Sequence, residues 1–326
     1  MKYSFLFLLF LGWRVMAQNT PMARNAFVNQ DMQQAYDYWS ITQPSTSFHS
    51  SFKPYLSSTY ASASDSAVPY AFYGFRNRAW TKMYKGQVMS RRMHSTQVMP
   101  LVDLQTGPDL LSGSLISSAL AGVHLKQNVN NDLTIALTAF GGTTRFPGFI
   151  DTTIAKTRII PEYGMSYGTS KTGYRFFDYT GYVSYSPKNN KVFNFQLGRD
   201  KHFIGDGYRS MLLSDFAAPY PYFRINTNIW HLQYNVWYTW MTDVSTAKGF
   251  KSGFRNKFGT FHYLSYNILK ELSVGLFENV IWRGSDTSQA RNFDVNYLNP
   301  IIFFRPVEYS VGSPDNSFLG ANVSGT

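Results

Sequence analysis

Residues 229–241, reading IWHLQYNVWYTWM, constrain this chain more than any other stretch. Trp230, Leu232, Tyr234, Val236, Tyr238 and Trp240 occupy the even positions, while His231, Gln233, Asn235 and Thr239 hold most of the odd ones. Alternation of this length predicts a β-strand with one apolar face rather than a helix. Ten steps at ~3.3 Å, tilted by ~40°, project to roughly 25 Å, the height of the apolar band on an outer-membrane barrel between its aromatic girdles. A soluble sandwich strand is about half as long. Trp230 and Trp240 bracket the apolar face as girdle residues, and Trp237 on the polar face breaks the pattern. The stretch is expected to be one transmembrane strand.

Composition agrees. Aromatic residues make up 17% of the 326 positions and charged residues only 15%, the first well above and the second well below ordinary globular usage. Mean hydropathy is −0.24. High aromaticity without a spanning helix fits a membrane barrel, whose strands are only half apolar; a secreted all-β protein is the alternative. The formal charge is +11, which favours anionic partners such as lipopolysaccharide or acidic polysaccharide. No Lys/Arg run resembles a nucleic-acid patch. Cysteine is absent, and a wall closed by hydrogen bonds needs no disulfides.

Residues 1–17 read as a cleaved secretory signal peptide: Lys2, an apolar run from Phe5 to Trp13, and a small-residue cut after Ala17. This predicts export to the outer membrane of a Gram-negative cell. Residues 18–95 form a different segment, with a short amphipathic helix expected over 25–39 and a Ser/Thr-rich loop over 45–67, serving as periplasmic appendage, plug or wrap over the barrel mouth. From residue 96 to 326 the period of two takes over. Hairpins are expected at 119–125 with 133–139, at 179–185 with 191–199 through Pro187-Lys188-Asn189-Asn190, and at 257–266 with 272–282. Short turns on one side alternate with longer Gly/Ser/Asp-rich links at 141–174, 198–222 and 243–255, the asymmetry of barrels with tight periplasmic turns and long external loops. Eight to ten strands are expected. The final GANVSGT lacks a terminal strand ending in an aromatic, so the fold expected is the N-terminal part of a larger all-β transmembrane barrel.

In a chain this poor in charge, residues 198–224 stand out, placing Arg199, Asp200, Lys201, His202, Asp206, Arg209 and Asp215 among Tyr208, Tyr220 and Tyr222. Carboxylates, guanidinium groups and aromatic faces together suit a sugar-binding surface, through bidentate bonds to vicinal hydroxyls and stacking on pyranose faces. Asp206 between two glycines predicts a tight turn with its carboxylate held out. The alternative is a set of ion pairs lining the lumen or bracing a loop. Arg305 and Glu308 flank Pro306 and are expected to pair across the wall. Glu278 interrupts the apolar face of its strand; a carboxylate against lipid is costly, so a bulge, an inward turn or a lumenal ion pair is expected. No Gly-x-Ser-x-Gly elbow, His-Glu-x-x-His motif or phosphate loop occurs, so no catalytic, cofactor or metal site is assigned.

Three ordered runs, GRDKHFIGDGYRSMLLSDFAAPYPYFRI, FHYLSYNILKELSVGLFENVIW and YLNPIIFFRPVEYSVGSPDNSFLGAN, resemble the Wzi-type capsule-assembly outer-membrane proteins, most of all the branch that includes the gliding-motility protein RemB. The resemblance spans roughly residues 95–322, with SFHSSFKPY at 47–55 extending it upstream. It implies a porin-sized barrel of ~16–18 strands, longer than this chain, with a lectin-like, non-enzymatic role in holding capsular polysaccharide at the cell surface. In the motility branch it implies a surface component of gliding or adhesion machinery, bound to protein partners. A diffusion porin is a third, weaker expectation.

Overall fold

The computed structural model describes residues 45–56, 95–109, 113–129, 132–169, 172–187, 192–207, 209–243, 255–284, 292–304 and 315–325. The expected leader, the helix at 25–39, Tyr208, Arg305 and Glu308 lie outside them.

The chain is all-β, organised as one large antiparallel meander. After the short β1 (Phe52–Lys53) come β2 (Ser95–Pro108), β3 (Leu115–Asn128) and β4 (Leu133–Arg145). A long link then carries helix α1 (Gly148–Thr157), the small hairpin β5 (Ile159–Ile160) and β6 (Gly164–Met165), and β7 (Tyr167–Thr169). The meander resumes with β8 (Gly173–Tyr185), β9 (Phe193–Asp200), the short β10 (Phe203–Ile204), β11 (Tyr220–Ile229) and β12 (Leu232–Asp243). It ends with β13 (Arg255–Asn267), β14 (Leu272–Arg283) and β15 (Asn316–Gly325). Neighbours in the sheet run β2-β3-β4-β8-β9-β11-β12-β13-β14-β15, with β7 paired to β8. The sheet is open, edged by β2 and β15.

The three expected hairpins are β3–β4, β8–β9 and β13–β14. Two expectations need correction. GANVSG belongs to β15, registered on β14 from Ile281↔Asn316 to Leu272↔Gly325, so the final residues do form a strand. And Trp230 is not in one: Ile229 pairs with Leu232, so Trp230-His231 is a two-residue turn, Trp230 having φ +54°. Only Trp240 of the two proposed girdle residues lies on a strand.

The two faces of the sheet invert the polarity of a soluble protein. One face is open and apolar. Val102 and Leu104 on β2, Val123 and Leu125 on β3, Leu137 on β4, Val183 on β8, Leu197 on β9 and Val323 on β15 are all exposed. The opposite face is covered and mostly polar: His124, Lys126 and Asn128, then Ser184, Asn194, Gln196, Arg224, Asn226, Gln233 and Asn235 are buried. Cross-strand hydrogen bonds satisfy many of them, including Thr134 to Asn128, Gln196 to Ser184 and Asn226 to Asn235. Three pieces of chain lie on this covered face. Residues 45–56 and 201–216 meet over β11–β14, while α1 and the β5–β6 hairpin bury Ile154 and Ile160 against Leu120, Tyr174 and Phe176. The link at 141–174, expected to be loop, is therefore structured by its own small core.

Candidate functional site

β9 delivers Asp200 to one end of the sheet, where the chain leaves its strand and turns back over the covered face. His202 is fully enclosed there by Phe52, Tyr220, Tyr222 and Trp237, with ring centroids 4.4–5.9 Å apart, and its Nδ1 lies 3.2 Å from the Tyr220 hydroxyl. Burial, with a contribution from the Arg224 charge, holds its pKa well below the usual histidine value. β10 then pairs with β1, Phe52 against Ile204 and Lys53 against Phe203. Lys53 Nζ donates to the Gly205 carbonyl at 3.2 Å, and Gly205 N–H donates to Ser51 O at 2.7 Å.

Asp206 is exposed on its turn, but its carboxylate is tied to a distant segment. Its Oδ1 accepts the Ser50 hydroxyl at 2.7 Å and its Oδ2 the Ser51 hydroxyl at 2.6 Å, each a charge-assisted bond. Farther along residues 45–56, His49 Nδ1 lies 2.8 Å from Ser265 Oγ, and Asn267 donates to the carbonyls of Thr46 and Phe48. Burial, then the charge of His231, lowers the His49 pKa to about 4. The residues 45–56 therefore run up the covered face from the β13–β14 turn to meet the chain descending from β9.

Arg199 is also engaged internally. Its Nη1 is 2.7 Å from Asp178 Oδ1, it bonds the Tyr179 carbonyl, and its guanidinium stacks 4.6 Å from the Tyr179 ring. Trp237, the apparent pattern breaker, is fully buried against Phe52 and Phe261. Arg224 is buried too, donating to Gln196 Oε1 at 2.7 Å with its guanidinium 5.4 Å from the Phe52 ring.

The structure therefore divides the 198–224 cluster. Arg199, His202 and Asp206 are tied to neighbouring segments, Arg199 through an ion pair with Asp178, His202 within an aromatic cage and Asp206 through two serine hydroxyls. Lys201, Arg209 and Asp215 stay at the rim, Arg209 exposed and the other two half-buried. Glu162 joins them, because its N–H donates to Phe216 O at 3.2 Å and ties the β5–β6 turn to this loop. Burial lowers the Lys201 pKa, while Glu162 and then Asp215, Asp200 and Asp178 pull it back up. The Asp200 carboxylate accepts Lys201 N–H at 2.8 Å. Sequence reading missed Glu162, Ser50, Ser51 and Lys53, whose partners lie more than a hundred positions away or in a separate loop. Among the described residues no group of three or more His, Asp or Glu side chains is placed to hold a metal ion.

Glu278 sits in an unbroken strand rather than at a bulge, the β13–β14 register being continuous through His262↔Glu278. Its side chain rises from the open face, not the covered one, yet the residue is only 2% exposed. Residues 292–304 lie across it, and its Oε2 accepts the Phe303 N–H.

No protein-family model, curated protein or solved structure matches this chain.

Proposed function

We propose that this chain forms the wall of an outer-membrane β-barrel whose interior is filled by its own segments, and that it acts without catalysis to hold surface or capsular polysaccharide. The observation that carries the membrane reading is the inverted polarity of the sheet. Apolar side chains stand exposed on strand after strand while Lys, Arg, Asn and Gln are buried on the other face, the arrangement a lipid-facing wall requires and a soluble sandwich cannot tolerate. Apart from the 8-residue β9, the meander strands have 10–14 residues, long enough to cross the hydrocarbon with tilt.

The polysaccharide reading rests on the rim and on the net charge, +11 for the full sequence and +11 − 2 = +9 once Lys2 and Arg14 leave with the leader. Lys201, Arg209, Asp215 and Glu162 offer donors and acceptors of both signs at the end of the sheet that carries the long links, the type of surface that engages vicinal hydroxyls and uronate carboxylates. The likeness to the Wzi-type family points the same way. Filling of the covered face by residues 45–56 and 201–216 speaks against a diffusion porin. A motility or adhesion partner is the competing reading, supported by the RemB-like resemblance alone.

The test is titration of the full reading frame, in detergent, with purified polysaccharide from its own cell surface. Saturable binding is expected, weakened at least ~10-fold in Arg209→Ala and Lys201→Ala and little changed in Arg199→Ala. A folded protein that binds no polysaccharide would sink the proposal and leave a protein partner as the function to pursue.

A further inference from the structure

Away from the strand ends, the open face is apolar except for one stripe. Tyr234, Tyr238, Thr260, His262 and Glu278 stand side by side on β12, β13 and β14, with Val236, His262 and Glu278 in register across the three strands. Left bare on a membrane wall, these groups would face acyl chains with no hydrogen-bond partners. They are not bare. After β14 the chain returns over the outside of the wall, starting at the level of Trp240, Phe258 and Trp282, where Phe293 packs against all three rings. It then descends. Thr260 donates to Tyr297 O at 3.0 Å, Tyr238 to Leu298 O at 2.7 Å and Tyr234 to Pro300 O at 2.7 Å. With its proton committed to Pro300, the Tyr234 oxygen accepts from His262 Nδ1 at 2.8 Å, which fixes that nitrogen as the protonated one. Phe303, at φ +66°, turns its N–H onto Glu278.

The strap thus spends four backbone polar groups on the wall and turns Leu298, Ile301, Phe303 and Phe304 outward, all exposed. A loop lying in water has no need of this arrangement. A loop lying in hydrocarbon cannot do without it, because irregular backbone survives there only when its polar groups are taken up by protein. We infer that residues 297–304 form a strap immersed in the outer half of the bilayer, whose outward face binds lipid acyl chains, while Asp294 and the exposed Asn296 stay at the level of the Trp240 and Trp282 rings. This rests on the barrel reading above. The strap's apolar surface continues that of the wall, from the ring of Trp240 and Trp282 down to mid-height at Glu278, so the polar stripe is a ledge built to seat it.

The absence of cysteine makes the test direct. Single-cysteine variants of the full chain would carry an environment-sensitive fluorophore and be reconstituted in phosphatidylcholine vesicles containing nitroxide-labelled acyl chains. Leu137→Cys and Val183→Cys report the wall, Met211→Cys reports the solvent-facing loop, and Ile301→Cys and Phe304→Cys report the strap. Quenching at the strap is expected to reach at least half that at the wall, with little at position 211. In an Ile301→Cys background, Glu278→Ala is expected to lower strap quenching while the wall values hold. Wall quenching with a strap at the level of position 211 would overturn the inference and leave the barrel standing. Quenching at neither would overturn both.

Discussion

Asp206 joins two pieces of chain that lie about half the protein apart in sequence. Its two oxygens take the hydroxyls of Ser50 and Ser51, and Asp206→Ala leaves both donors without that acceptor. Losing two bonds to a charged group costs about 1–3 kcal/mol, so amide hydrogen exchange over residues 48–53 is expected to quicken by ~10-fold or more, with Asp206→Asn intermediate. Unchanged exchange would show that the β1–β10 pairing alone holds the segment. The same segment is expected to respond to pH. His49, with a pKa lowered to about 4, and His202, lowered well below the usual value, are neutral when enclosed, whereas released histidines titrate near 6.5. The released state therefore binds more protons below that value, so the stabilisation is complete above about pH 6.5 and is lost as pH falls toward 4, at up to about 1.4 kcal/mol per unit for each ring. The urea midpoint for release, followed by Trp fluorescence, is expected to fall between pH 7 and 4.5; a flat midpoint would refute it. None of this was legible locally. The sequence marks 198–224 as a charged cluster, but an aspartate between glycines reads the same whether its carboxylate meets solvent or a serine 155 positions away.

The β11–β12 hairpin shows why alternation reveals strands and hides their ends. A two-residue turn shifts the parity of the pattern by one, since Ile229 and Leu232 are register partners on one face. The aromatic Trp230 nevertheless carries the β12 alternation one step back, so Ile229, Trp230, His231 and Leu232 read as uninterrupted strand although Trp230 sits at φ +54°. The usual Gly or Asn signal of such turns is missing here. At that backbone angle a β-branched side chain is strained and asparagine is tolerated, so Trp230→Val is expected to destabilise the protein by about 1 kcal/mol more than Trp230→Asn in a urea series. Equal midpoints would mean that the stacking of Trp230 on His231, at 4.1 Å, decides the turn instead. Strand β15 escaped notice for the opposite reason: it is fully at the sheet edge and carries glycine at both 320 and 325, which dilutes its alternation. Gly275 on β14 marks a further element-scale constraint. A Cβ there would stand 2.0 Å from Asn322 Oδ1 and 2.4 Å from the Tyr263 hydroxyl, so Gly275→Val is expected to part the 3.0 Å bond between those two groups and loosen β15 from β14.

On the scale of the molecule, the alternation and the aromatic load reveal a two-faced sheet, but whether its polar face bounds a channel depends on contacts that no pattern encodes. Residues 45–56 enter from the β13–β14 turn and the chain after β9 descends from the other end; they meet as β1 and β10, sealed by Phe52 and Ile204 in one cluster with Trp237, Phe261, Tyr263 and Phe277. Apolar packing at that junction excludes water and ions where an open lumen would admit them. The full chain in planar bilayers is therefore expected to pass no steady current. Phe52 and Ile204 are register partners, so a Phe52→Cys/Ile204→Cys pair, in a chain with no other cysteine, would join the two halves covalently. Under mild urea the reduced pair is expected to show current bursts as the halves part, and the oxidised pair to stay silent. Steady current through the untreated protein would mean that ions pass beside the junction, and the interior would then have to be read as a lined pore rather than a filled one.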